Sequence, residues 1–212
     1  MKFLEYINEA VIGTYIKNLK QDLHTALVKV PINSRGSMFY ILNKYFDKDK
    51  INFKLSRKNK EGIEGYIDPE TLKIDIEIGI VHVLFTEISM LVQHLSEVIT
   101  HELIHRDQIS KSNKKASLYK MSGNDTKAKA KEYLANKYEI MAYAAQTVLA
   151  LRHEGFDDES IISMCKDPEA WYDRLLNSRA HIDIYLIDFF KATDPTAKKF
   201  KKYVVEYLEK QK

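Results

Sequence analysis

Residues 84–107 read LFTEISMLVQHLSEVITHELIHRD, and the order of the apolar side chains in this stretch decides the fold. Ile88, Leu91, Val92, Leu95, Val98 and Ile99 recur at spacings of three and four, which lays one apolar stripe along an α-helix. The helix predicted from about Leu84 to Asp107 carries the pentapeptide HELIH, residues 101–105, near its end. On a helix, side chains at i and i+4 leave the same face about 6 Å apart, so His101 and His105 can share one metal ion. Glu102 stands about 100° further round the axis, nearer the centre of the stripe. The constellation is therefore expected at the rim of the core, dry on one side and open on the other.

Upstream of this helix the apolar period is two. Ile51, Phe53 and Leu55 alternate with polar residues, and Leu72, Ile74, Ile76 and Ile78 alternate with Lys73, Asp75 and Glu77, which predicts strands. Pro69 in the DPET tetrapeptide, residues 68–71, marks a turn, so Ile63 to Ile67 and Leu72 to Ile78 should form a hairpin. Together the three strands are expected as an antiparallel meander. A helix is predicted before them from Phe3 to about Leu27, and a shorter one after the break at Ser34 to Ser37.

Downstream, the lysine-rich segment Ser110 to Lys131 with its Gly123-Asn124 pair reads as a solvated loop. A long helix from about Lys127 to His153 follows. Further helices are expected to start near Asp158, Asp167, Ala180 and Pro195. The fold class is thus α+β: a small antiparallel three-stranded sheet, then the histidine-bearing helix, then a mainly helical C-terminal half.

Composition narrows the function. With 212 residues, 45% of them hydrophobic, the chain can bury a sizeable core, and one compact domain is the default. Its 33 basic and 30 acidic residues give a formal charge of +3, which speaks against wholesale coating of nucleic acid. The single cysteine, Cys165, rules out an internal disulfide and an all-thiolate metal site. Any metal must be held by histidines and carboxylates. No apolar run approaches the roughly 18 residues of a membrane span, so no membrane partner is expected.

A catalytic zinc site takes three protein ligands and leaves a fourth position for water. The histidine-extended form of the motif is absent, because Gln108 and Lys111 stand where Gly and His would be. Glu139 is the third ligand expected here. It lies in the predicted helix Tyr133 to Leu151, just before the apolar run IMAYAAQTVLAL, where a lone carboxylate is costly to bury. The alternative is a carboxylate paired with a Lys or Arg. Glu132, in KAKAKEY, reads as solvent-exposed, and Ala142, Ala144 and Ala145 would allow close helix packing. His94 precedes His101 by seven residues, about 10.5 Å along the axis, and is expected to be structural.

His101, Glu102, His105 and a glutamate on the following helix resemble the gluzincin branch of zinc metallopeptidases, over roughly residues 51–151. The resemblance implies a zincin-like fold and hydrolysis of a protein or peptide substrate. It implies Zn2+ held by His101, His105 and Glu139, with Glu102 as general base. It further implies an edge strand, here Leu72 to Ile78, that holds substrate. Thermolysin-like members usually show E-x-x-x-D around the third ligand, whereas this chain has Tyr143 where the Asp would stand. Tyr143 and His181 are the candidate oxyanion donors, with plain packing or surface roles as the alternative.

The first ten residues, MKFLEYINEA, resemble the capsid-targeting sequence of internal head proteins of T-even-type phages. The likeness implies a capsid scaffold as partner and cleavage after Glu9 by the prohead protease. Residues 1–9 would be the targeting peptide and 10–212 the metallopeptidase domain. The protein would travel in the phage head beside packaged DNA, weakly touched by the lysines of 111–131, and reach the host cytoplasm with it. Two alternatives stay open: Phe3, Leu4 and Ile7 as the apolar face of the first helix, and a non-enzymatic basic head protein, packing DNA or binding a host factor, in which HELIH is vestigial or structural.

Overall fold

The computed structural model describes residues 9–30, 37–57, 61–111, 127–167, 190 and 193–209. These divide into two compact units, one within residues 7–116 and the other from residue 117 onward.

The first unit opens with α1 (Glu9–Val28) and α2 (Met38–Phe46). Leu19, Leu23, Ala26 and Leu27 of α1 and Met38, Leu42 and Phe46 of α2 are buried, each set at the spacing of one helix face. A 3-10 turn, Asp47–Asp49, then reverses the chain through Lys50, whose φ of 57° is left-handed. The strands β1 (Ile51–Leu55), β2 (Ile63–Ile67) and β3 (Ile74–Ile78) follow, then the short helix α3 (Ile80–Phe85) and α4 (Ile88–Lys111). Leu91, Val92, Leu95 and Ile99 of α4 are buried as their spacing requires. The helix expected from Leu84 starts later, because Thr86 adopts an extended conformation and separates α3 from α4.

The sheet is mixed, which corrects the antiparallel meander. Its order is β1-β3-β2, with β1 parallel and β2 antiparallel to β3. The hairpin forms, but its second strand starts at Ile74 and not at the expected Leu72: Asp68 accepts from the Glu70 amide at 2.8 Å and from the Thr71 hydroxyl at 2.7 Å, and Leu72 belongs to the turn with a φ of 57°. Polar side chains line the exposed face of the sheet around β3. Glu64 of β2 stands opposite Glu77 of β3, a pairing that repels. From β1, Lys54 reaches Glu77 at 3.3 Å and Asp75 at 3.6 Å, and Asn52 donates to Asp75 at 2.9 Å. With Ile74, Ile76 and Ile78 all fully buried, β3 is the central strand. The expected substrate-holding edge at Leu72 to Ile78 is therefore not an edge. The edges are β1 and β2, and Asn43 occupies part of the β1 edge by bonding both the amide and the carbonyl of Phe53, at 2.6 and 3.0 Å.

The second unit contains α5 (Lys127–Leu134), α6 (Lys137–His153), α7 (Asp158–Lys166) and α8 (Pro195–Glu209). The long helix expected over Lys127 to His153 is two helices. Asn136 separates them, and its side chain caps α6 by accepting from the Tyr138 amide at 2.9 Å, a role for which Asn is suited and its helix propensity is not. Most of α6 is buried, with Ala142, Ala144 and Ala145 at 0% exposure. Arg152 clamps Asp158 with two bonds of 2.9 Å across the turn at Gly155. Phe200, Tyr203, Val204, Tyr207 and Leu208 bury one face of α8. The helices expected near Asp167 and Ala180, and His181 with them, lie outside the described residues, as do residues 1–8 and 112–126. No described helix is long and apolar enough to cross a membrane.

Candidate metal centre

The apolar stripe of α4 fixes its rotation, and that rotation turns HELIH inward. His101 and Glu102 are each 7% exposed and His105 2%. The two imidazoles meet edge to face, and their Nε2 atoms stand 2.9 Å apart. Nδ1 of His105 faces the Gln108 amide oxygen at 2.9 Å. A carbonyl oxygen only accepts, so with Gln108 in this orientation the His105 proton belongs on Nδ1 and its Nε2 lone pair faces His101. That lone pair points at the other imidazole, where a proton on His101 or a metal ion can satisfy it.

Glu139 joins this pair. One ligand atom from each of His101, His105 and Glu139 lies within 4.8 Å of the others, and all three residues are buried. Among the described residues no other group of three or more His, Cys, Asp or Glu has this geometry. Four-coordinate bonds of about 2.0–2.2 Å place ligand atoms about 3.4 Å apart, a spacing within the 4.8 Å that bounds this group. The donors, two imidazoles and a carboxylate, match the chemistry of such an ion.

The carboxylate of Glu139 is prepared for the role. The residue is third in α6, where the amide ends of the first turn favour negative charge. The Tyr133 hydroxyl donates to its Oε2 at 2.6 Å. Tyr133→Phe removes a short bond to a buried acceptor and should weaken metal affinity about tenfold; titration against a chelating dye would measure it.

Glu102 is positioned from below by the sheet. Gly65 of β2 faces α4, and a Cβ built there would lie 2.7 Å from Glu102 Cγ, 2.9 Å from Val98 Cγ1 and 3.0 Å from Glu102 Oε1. Only a residue without a side chain lets the strand approach this closely. Gly65→Ala is expected to cost about 1–3 kcal/mol through overpacking and to displace Glu102. Urea unfolding would read the first effect.

The other residues singled out by sequence take separate places. Tyr143, one turn beyond Glu139, is partly buried against Ala150. His94 meets His82 edge to face, with ring centroids 5.4 Å apart, and Glu132 is exposed. Gln108, Tyr133 and Gly65 were not among the expected site residues. For Gln108 the signal was its i+3 spacing from His105, which puts it on the histidine face. Gly65, in the middle of a predicted strand, signalled a close approach. Nothing in the sequence pointed to Tyr133, which reaches Glu139 only because the chain breaks at Asn136. No family model, curated protein or solved structure matches the chain.

Proposed function

We propose that the chain is a zinc-dependent endopeptidase. The observation that carries the reading is the buried group of His101, His105 and Glu139, with Glu102 beside it on α4 and seated over Gly65. The residues fit zinc: two imidazoles and one carboxylate leave one of four positions open, as catalytic sites do. When bound, the ion would lower the pKa of a water toward neutrality and polarise a peptide carbonyl.

The chain's own groups supply the rest. Glu102 accepts the proton of the attacking water and returns it to the leaving amine. Gln108 and Tyr133 hold His105 and Glu139 in orientation. The strand that aligns substrate is β2, which is a sheet edge and runs directly beneath Glu102; an extended peptide would add to it by main-chain hydrogen bonds. The test is cleavage of a mixed peptide library, read by mass spectrometry. New termini with the wild-type chain, and none with Glu102→Gln, are expected. Equal patterns from both proteins would refute the assignment of Glu102.

The resemblance of MKFLEYINEA to a capsid-targeting sequence supports delivery of this activity by a phage head. Virion-associated protein is then expected to begin at Ala10, and an intact Met1 in purified heads would contradict it.

A further inference from the structure

The second unit holds a cavity of about 600 Å³ to which none of the three metal-site residues contributes. Lys166 at the end of α7 and Lys198, Lys201 and Lys202 on α8 line it. Lys201 is only 9% exposed. Burial pulls its ammonium below the ordinary lysine pKa, and the nearby Cys165 and Asp167 restore part of the shift.

The lysines are spaced along two helices. Lys198 stands about one helical turn, roughly 5 Å, before Lys201 and Lys202, and Lys166 faces the cavity from the other helix. Such spacing suits a chain of phosphates better than one tetrahedral ion. Beyond the lysines, Glu206 and Glu209 line the same cavity, so it runs from a basic half to an acidic half along α8. Lys202 and Glu206, 3.6 Å apart, mark the change. Carboxylates accept from hydroxyls.

We infer that this cavity binds a small molecule bearing two or three linked phosphates on a hydroxyl-rich body, the chemistry of a nucleoside di- or triphosphate. The lysines take the phosphate chain, and Glu206 and Glu209 take the hydroxyls. The site does not depend on the peptidase reading.

Cys165 lines the cavity and is the only cysteine in the chain, so its alkylation rate reports occupancy. The experiment follows iodoacetamide labelling of the full-length protein with ATP, tripolyphosphate, sulfate or a single-stranded oligonucleotide, alongside calorimetry. ATP and tripolyphosphate should protect saturably and sulfate should not. Lys198→Glu with Lys202→Glu, both at exposed positions, should raise the half-protecting concentration about tenfold or more, with the circular dichroism unchanged. Glu206→Gln with Glu209→Gln should weaken ATP and spare tripolyphosphate. Absence of protection by either phosphate compound, or equal protection in the lysine variant, would overturn the proposal. Stronger protection by the oligonucleotide than by ATP would overturn it in favour of a nucleic-acid surface.

Discussion

Replacing Glu102 by Gln is expected to reduce peptide hydrolysis by about 10²- to 10⁴-fold while zinc content stays at the wild-type level. Gln keeps the volume over Gly65, where a strand Cβ would already collide with the side chain. It cannot take a proton from water at neutral pH. Both His101 and His105 keep their mutual geometry, since their Nε2 contact and the Gln108 bond do not involve position 102. The effect should therefore fall on kcat with little change in KM, because a general base acts in the transition state. Measurement at saturating substrate, with metal content determined on the same sample, separates this from loss of the site.

The second large effect concerns stability. Three buried polar ligands are costly to keep from water without a full set of partners. Metal that binds only the folded chain stabilises it by mass action, about 4 kcal/mol at a thousandfold excess over the dissociation constant. For a chain of this length, that is about 8–16 °C in Tm. Chelation at neutral pH should lower Tm by this order, zinc should restore it, and magnesium should not, since it prefers oxygen ligands. His101→Ala should show the low Tm with or without zinc. An unchanged Tm on chelation would mean that the buried group folds without an ion.

Much of this arrangement is legible in the sequence because it follows from periodicity within single elements. The i, i+4 spacing of His101 and His105 and the stripe from Leu91 to Ile99 fix the ligand face of α4 before any tertiary contact. The hairpin is likewise local, written in Asp68-Pro69 and in the alternation from Ile74 to Ile78. What pattern does not carry is pairing between segments far apart. The parallel partnership of β1 with β3, to which Lys54 adds contacts with Asp75 and Glu77, joins strands that chain order had suggested would form a meander. The same applies to Asn136, whose capping bond ends one helix and starts another inside an otherwise continuous periodic segment. That break places Glu139 in a first turn and brings Tyr133 onto its carboxylate. Glu139 was still recoverable, as an acidic residue bordering an apolar helix, because a buried carboxylate requires a compensating partner.

Elemental mass spectrometry of the purified protein, wild type beside His101→Ala and Glu139→Ala, tests the proposed zinc site most directly. The predicted result is about one zinc per wild-type chain and almost none in either variant. Wild-type protein that takes up no zinc on reconstitution, or a Glu139→Ala variant that keeps a full equivalent, would contradict it.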